Sequence, residues 1–135
     1  MEQVVVPGNV RKLMVSHARA CLPEEACGLV AVGADRRIVH AYPATNVDRS
    51  RVRFTVSPRE HYAAIRDAES RGWEIGGSFH SHPESAAFPS ARDVAGALDP
   101  SWLYFVVGMA NGYPEIRGFR IREYIVDEVA LREEP

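Results

Sequence analysis

The chain has 135 residues, 46% of them hydrophobic and 25% charged, and a formal net charge of −2. That length suits one domain with a buried core of its own, in the composition range of ordinary soluble globular proteins. A slightly negative total excludes a global basic field of the kind that gathers nucleic acid or an anionic membrane; Lys12 is the only lysine, and the arginine bias reads as compositional.

Val4 to Val6 predicts a short first strand, broken by Pro7 and Gly8, with Asn9 as a helix N-cap. Val10, Leu13, Met14, His17 and Cys21 recur at helical spacing, so a helix runs to about Leu22 and stops at Pro23. The continuous apolar run Ala26 to Val32 predicts a buried strand, and Ile38 to Tyr42 a second one after a polar turn. Val52, Phe54 and Val56 alternate with Arg53 and Thr55, which predicts a third, half-buried strand. Ser57 as N-cap and Pro58 at the first helical position open a helix that Gly72 ends. Trp73 to His82 reads as a strand, Pro83 to Pro89 as a loop and Ser90 to Leu98 as a short helix. Trp102 to Gly108 is apolar enough for a central strand; Asn111 and Gly112 mark a turn. Ile116 to Ile121 and Tyr124 to Val129 close the fold, ahead of an acidic tail at Glu133 and Glu134. Interleaved helices and strands without repeats or linkers predict a single α/β or α+β domain, one mixed sheet with helices packed on it.

Cys21 and Cys27 are close in sequence, and Cys27 sits in an apolar run that suits a small buried hydrophobe. No Cys-x-x-Cys pair exists, which argues against a cysteine zinc knuckle. No run is long enough to span a bilayer, and the N-terminus lacks the pattern of a signal peptide. A cytoplasmic protein with reduced thiols is expected.

The stretch His80-Ser81-His82-Pro83 leading to Ser90 and Asp93 carries most of the chemistry. Two imidazoles one residue apart point the same way on an extended strand, because side chains alternate with period two. A carboxylate on a following helix can close a third side of one metal. Two His and one carboxylate with a fourth position open is the ligand set of catalytic zinc. The competing reading of Ser90 and Asp93 is a plain helix cap, the serine capping and the acid in the first turn. The two are compatible, since a capped helix also holds its first-turn carboxylate rigidly. A zinc hydrolase also needs a base that is not a ligand. Glu25 immediately precedes the buried strand and can enter a cleft there; Glu24 is adjacent, acidic and expected to face away.

Glu25-Ala26-Cys27-Gly28-Leu29, then His80-x-His82-Pro83, six residues, Ser90, two residues and Asp93, resembles the JAMM/MPN+ (Mov34-type) zinc metalloprotease family. The resemblance covers nearly the whole chain in order. It implies a cytidine-deaminase-like α/β fold, a Zn²⁺ held by His80, His82 and Asp93, Glu25 as general base and Ser90 as oxyanion donor. The chain lacks the long insertions with which deubiquitinating members grip linked ubiquitin. It is more similar to compact bacterial members, in particular the cysteine-releasing peptidase, which act on ubiquitin-like sulfur-carrier proteins after a C-terminal Gly-Gly. Two other classes are weighed: a non-catalytic zinc-binding scaffold, and a general metallopeptidase of short peptides. A DNA-associated relative would bring an extra helical region, and a nucleoside deaminase a Pro-Cys-x-x-Cys pair; neither is present.

Overall fold

The apolar run after Glu25 becomes strand β2 (Cys27–Val32), buried at every position. Such a strand needs partners on both edges and cover on both faces. The structure, a computed structural model, describes all residues from Met1 to Pro135 and supplies them. The other elements, in chain order, begin with β1 (Gln3–Pro7), α1 (Gly8–Cys21), β3 (Ile38–Ala44) and α2 (Pro58–Ser70). They continue with β4 (Glu74–His82), α3 (Ala91–Gly96), β5 (Leu103–Gly108), β6 (Glu115–Arg122) and β7 (Ile125–Glu134).

One seven-stranded sheet runs in the order β1-β7-β6-β5-β4-β2-β3. The pairs β1–β7 and β4–β5 are parallel and the rest antiparallel. The apolar strand β5 is central, as its composition predicts. The sheet curls until its edges β1 and β3 come into contact, and α1 packs against β3 and β1. The helix buries Val10, Met14 and Ala18 among Val4, Val6, Ile38, Ala41, Phe79, Phe105 and Val129. A second, smaller core of Ala87, Val106, Phe119 and Ile121 has Val94 and Ala97 of α3 and its C-terminus packed against it. This α/β mixed sheet flanked by helices is the expected fold class. No helix is long and apolar enough to cross a membrane.

Three sequence expectations are corrected. Pro7, not Asn9, is the N-cap of α1, and no side chain caps it. Strand β1 continues to Pro7, which is aligned with Glu134, so the helix begins with no intervening residue. The acidic tail is strand: β7 extends to Glu134, Glu133 meets Arg11 at 2.6 Å and Glu134 meets Arg37 at 3.2 Å.

The third correction matters for the site. Residues 52–56 form no strand beyond a single bridge between Asn46 and Val56. Segment 46–56 is a loop organised on Asn46. Its Nδ2 donates to the carbonyls of Glu25 and Arg53, each at 3.1 Å, and its Oδ1 accepts from the amides of Asp48 and Thr55, each at 3.1 Å. These backbone bonds take the place of a ladder. The alternation of Val52 and Phe54 has another cause: Val52 is exposed, while Phe54 stacks on the His80 ring with centroids 4.5 Å apart.

Candidate metal centre

Strand β4 is buried from Gly77 to its end, and its alternation turns both imidazoles to one side while Phe79 and Ser81 face the other. His82 is the last strand residue. Its carbonyl accepts from the Met109 amide at 3.0 Å, which ties it to the end of β5. The loop after it folds back over that strand end. Gly108 makes the approach possible, because a Cβ there would lie 2.5 Å from the Ala87 amide nitrogen. The loop then presents the Ala86 carbonyl to His82 Nδ1 at 2.9 Å.

Helix α3 opens on a reciprocal cap. Ser90 Oγ accepts from the Asp93 amide at 3.1 Å, and Asp93 Oδ2 accepts from the Ser90 amide at 2.9 Å. The cap aims the same Oδ2 at the histidines: 2.9 Å from His80 Nε2 and 3.0 Å from His82 Nε2, which lie 3.1 Å from each other. His80, His82 and Asp93 therefore offer three donor atoms to one point.

Two features of this triangle fit a cation. The Ala86 carbonyl can only accept, so His82 Nδ1 carries a hydrogen and, in the neutral ring, Nε2 presents its lone pair inward. Two imidazole nitrogens and a carboxylate oxygen then face one another, a donor set that suits a divalent cation. Bonds of about 2.0–2.2 Å to a tetrahedral ion would separate neighbouring ligand atoms by roughly 3.3–3.6 Å. The observed triangle is only slightly tighter.

The electrostatics agree. Burial pushes His80 below the ordinary imidazole value, despite its bond to Asp93, and keeps it in the neutral form a metal requires. Burial acts to raise Asp93, but hydrogen bonds from His80, His82 and the Ser90 amide outweigh it and hold the carboxylate well below its usual range. Burial acts to lower His82, and the bonds to Asp93 and Ala86 reverse that.

Glu25 is 3% exposed, and its Oε1 is the only buried side-chain polar atom without a hydrogen-bond partner. Burial pushes its carboxyl up to about 7; the positive charge of His82 opposes this, and the negative charge of Asp93 reinforces it. Glu24 is half-buried and its backbone amide bonds to Cys21. Next to His80 and Asp93 opens a cavity of about 480 Å³. Leu29, Phe54, Val56, Trp102 and Val106 are among its apolar walls, and Arg53 and Arg92 also line it.

The structure thus brings His80, His82 and Asp93 together, sets Ser90 at the cap beside them and buries Glu25 within their field. Sequence reasoning missed Asn46, Phe54 and Ser81. An asparagine between Thr45 and Val47 carries no local mark of its four backbone bonds, and Phe54 was absorbed into a strand pattern.

A curled mixed sheet that carries a His-x-His strand end beside a helix-capped carboxylate defines the JAMM/MPN class of hydrolase. A desampylase of Haloferax volcanii is 36% identical over 104 residues, 73% of this chain and 75% of its own. A CysO-cysteine peptidase of Mycobacterium tuberculosis is 34% identical over 131 residues, 93% of this chain and 87% of its own. The solution structure of a protein from Desulfitobacterium hafniense superposes with a TM-score of 0.87 at 36% identity, covering 97% of this chain and 92% of that one. The chain belongs to the prokaryotic homologues of the JAB domain, whose family model matches residues 7–122.

Proposed function

We propose that this chain is a zinc-dependent peptidase that hydrolyses the bond after the C-terminal Gly-Gly of a ubiquitin-like or sulfur-carrier protein. The observation that carries the reading is the triangle of His80, His82 and Asp93 beside a buried, unpartnered Glu25. The two relatives, a desampylase and a CysO-cysteine peptidase, support the substrate class. Residues 1–135 act as one metallopeptidase domain, with no role for nucleic acid or membrane. Cys21 and Cys27 form no disulfide, which suits a cytoplasmic setting.

His80, His82 and Asp93 would hold the zinc. When bound, zinc supplies a Lewis acid that polarises the scissile carbonyl and lowers the pKa of a water. Glu25 would accept a proton from the attacking water and later deliver it to the leaving amine. Its side chain suits this role, because Oε1 has no competing partner and burial raises its proton affinity toward neutrality. Ser90 Oγ accepts at the cap, which leaves its own hydrogen free to donate to the developing oxyanion.

The apolar cavity beside His80 receives the carrier's tail. Glycines lie extended where bulkier residues would clash with the walls near the metal. The apolar walls, which include Phe54 and Trp102, take the side chains that precede them.

The test is a mass measurement on a carrier ending in Gly-Gly plus one added amino acid, incubated with the zinc-loaded protein. Loss of the added residue alone supports the reading. Efficient hydrolysis of short peptides without Gly-Gly, and no preference for the carrier, would replace it with a general metallopeptidase.

A further inference from the structure

A general base poses a structural problem. Hydrogen bonds to its carboxylate oxygens would hold it in place but would occupy the atoms it needs. Glu25 shows the alternative, a side chain left without a partner on a backbone that is fully bonded. Its amide donates to the Ser50 carbonyl at 2.8 Å, and its carbonyl accepts from Asn46 Nδ2 at 3.1 Å.

The next residue is bonded just as fully. The antiparallel ladder of β2 and β4 ends at Cys27 opposite His80. Beyond it the Ala26 carbonyl still accepts from the Ser81 amide at 3.0 Å. The Ala26 amide donates to the Ser81 side chain, Oγ at 2.8 Å, where the ladder would use a carbonyl. Ser81 is 1% exposed and lies between the two histidines. Its hydroxyl thus carries the strand pairing one residue further, and continuing that register sets Glu25 opposite His82.

We propose that Ser81 and Asn46 are positioning residues for Glu25, fixing its backbone against the end of β4 so that its carboxylate reaches the reacting centre without bonds of its own. Ser81 ties that backbone to the histidine strand. Asn46 ties it to the loop whose Phe54 stacks on His80. Both side chains are engaged with backbone groups, Ser81 with the Ala26 amide and Asn46 with the Glu25 carbonyl. The inference rests on Glu25 being the base, and its test separates the two claims.

Ser81→Ala should keep stoichiometric zinc and a KM near wild type while kcat falls about 10–100-fold, the scale of a small misplacement of a reacting group. Asn46→Asp, which keeps the acceptor and loses the donors to Glu25 and Arg53, should act in the same direction. A second readout needs no turnover. In the metal-free wild type, the Ala26 amide should exchange with solvent as slowly as the ladder amides of β2; Ser81→Ala should speed that exchange roughly tenfold or more. Wild-type kcat in Ser81→Ala, zinc lost in step with kcat, or loop-like exchange at Ala26 in the wild type would overturn the inference. Full turnover in zinc-loaded Glu25→Gln would instead overturn the reading of Glu25 on which it rests.

Discussion

Glu25→Gln should stabilise the metal-free protein at alkaline pH while abolishing its chemistry. The carboxyl is buried, Oε1 has no partner, and burial raises its pKa from 4.5 to about 7. At about 1.4 kcal/mol per pKa unit, keeping Glu25 ionised at pH 8 costs the fold roughly 3 kcal/mol. Glutamine has the same shape and the same unpaired atoms without the charge. A raised acid favours the fold most below its unfolded value of 4.5, and that contribution is lost as pH rises through about 7. The advantage of glutamine is therefore largest above pH 7 and drops below about 1 kcal/mol at pH 5. For a chain of this length, a gain of about 3 kcal/mol corresponds to a melting temperature higher by roughly 10 °C. Thermal melts of both proteins in chelator, at pH 8 and pH 5, measure it. Equal stability at pH 8, or the same gain at both pH values, would refute the claim that an uncompensated charge sits at Glu25.

In turnover, zinc-loaded Glu25→Gln should lose roughly 10²–10⁴-fold in kcat with metal retained, whereas Glu24→Ala should stay near wild type; the reverse order would place the base on the wrong residue. Ser90→Ala should lower kcat by up to roughly 10²–10³-fold and stability by about 0.5–2 kcal/mol, with zinc content little changed. A lowered melting temperature at normal kcat would reduce Ser90 to a helix cap. Gly108→Ala should push the 86–87 loop off β5 and take the Ala86 carbonyl from His82, which weakens zinc binding about 10–100-fold in a competition titration. Wild-type affinity there would show that the Ala86 carbonyl does not orient His82.

Most elements were legible because their signals are local. Ser57 and Ser90 cap helices through bonds to amides three residues away, and the buried strands announce themselves as apolar runs. The His-x-His strand end and the capped carboxylate follow from the same local rules, and the resemblance to the JAMM/MPN+ family chose the metal triangle over a plain helix cap. What escaped depends on contacts distant in the chain. Residues 52–56 alternate like a strand, but their backbone answers to Asn46, and Phe54 packs on a histidine 26 positions later. Glu133 and Glu134 look like a solvated tail until Arg11 and Arg37 and the pairing with β1 are known. Ser81 reads as a spacer between two histidines, and its bond to Ala26 spans 55 positions.

The central claim, that His80, His82 and Asp93 hold the metal on which the chemistry depends, is tested most directly by counting metal. Elemental analysis of the purified wild type and of His82→Ala, after both are loaded with zinc and dialysed, should give about one zinc per chain in the first and close to none in the second. Equal, stoichiometric zinc in both proteins would contradict the account.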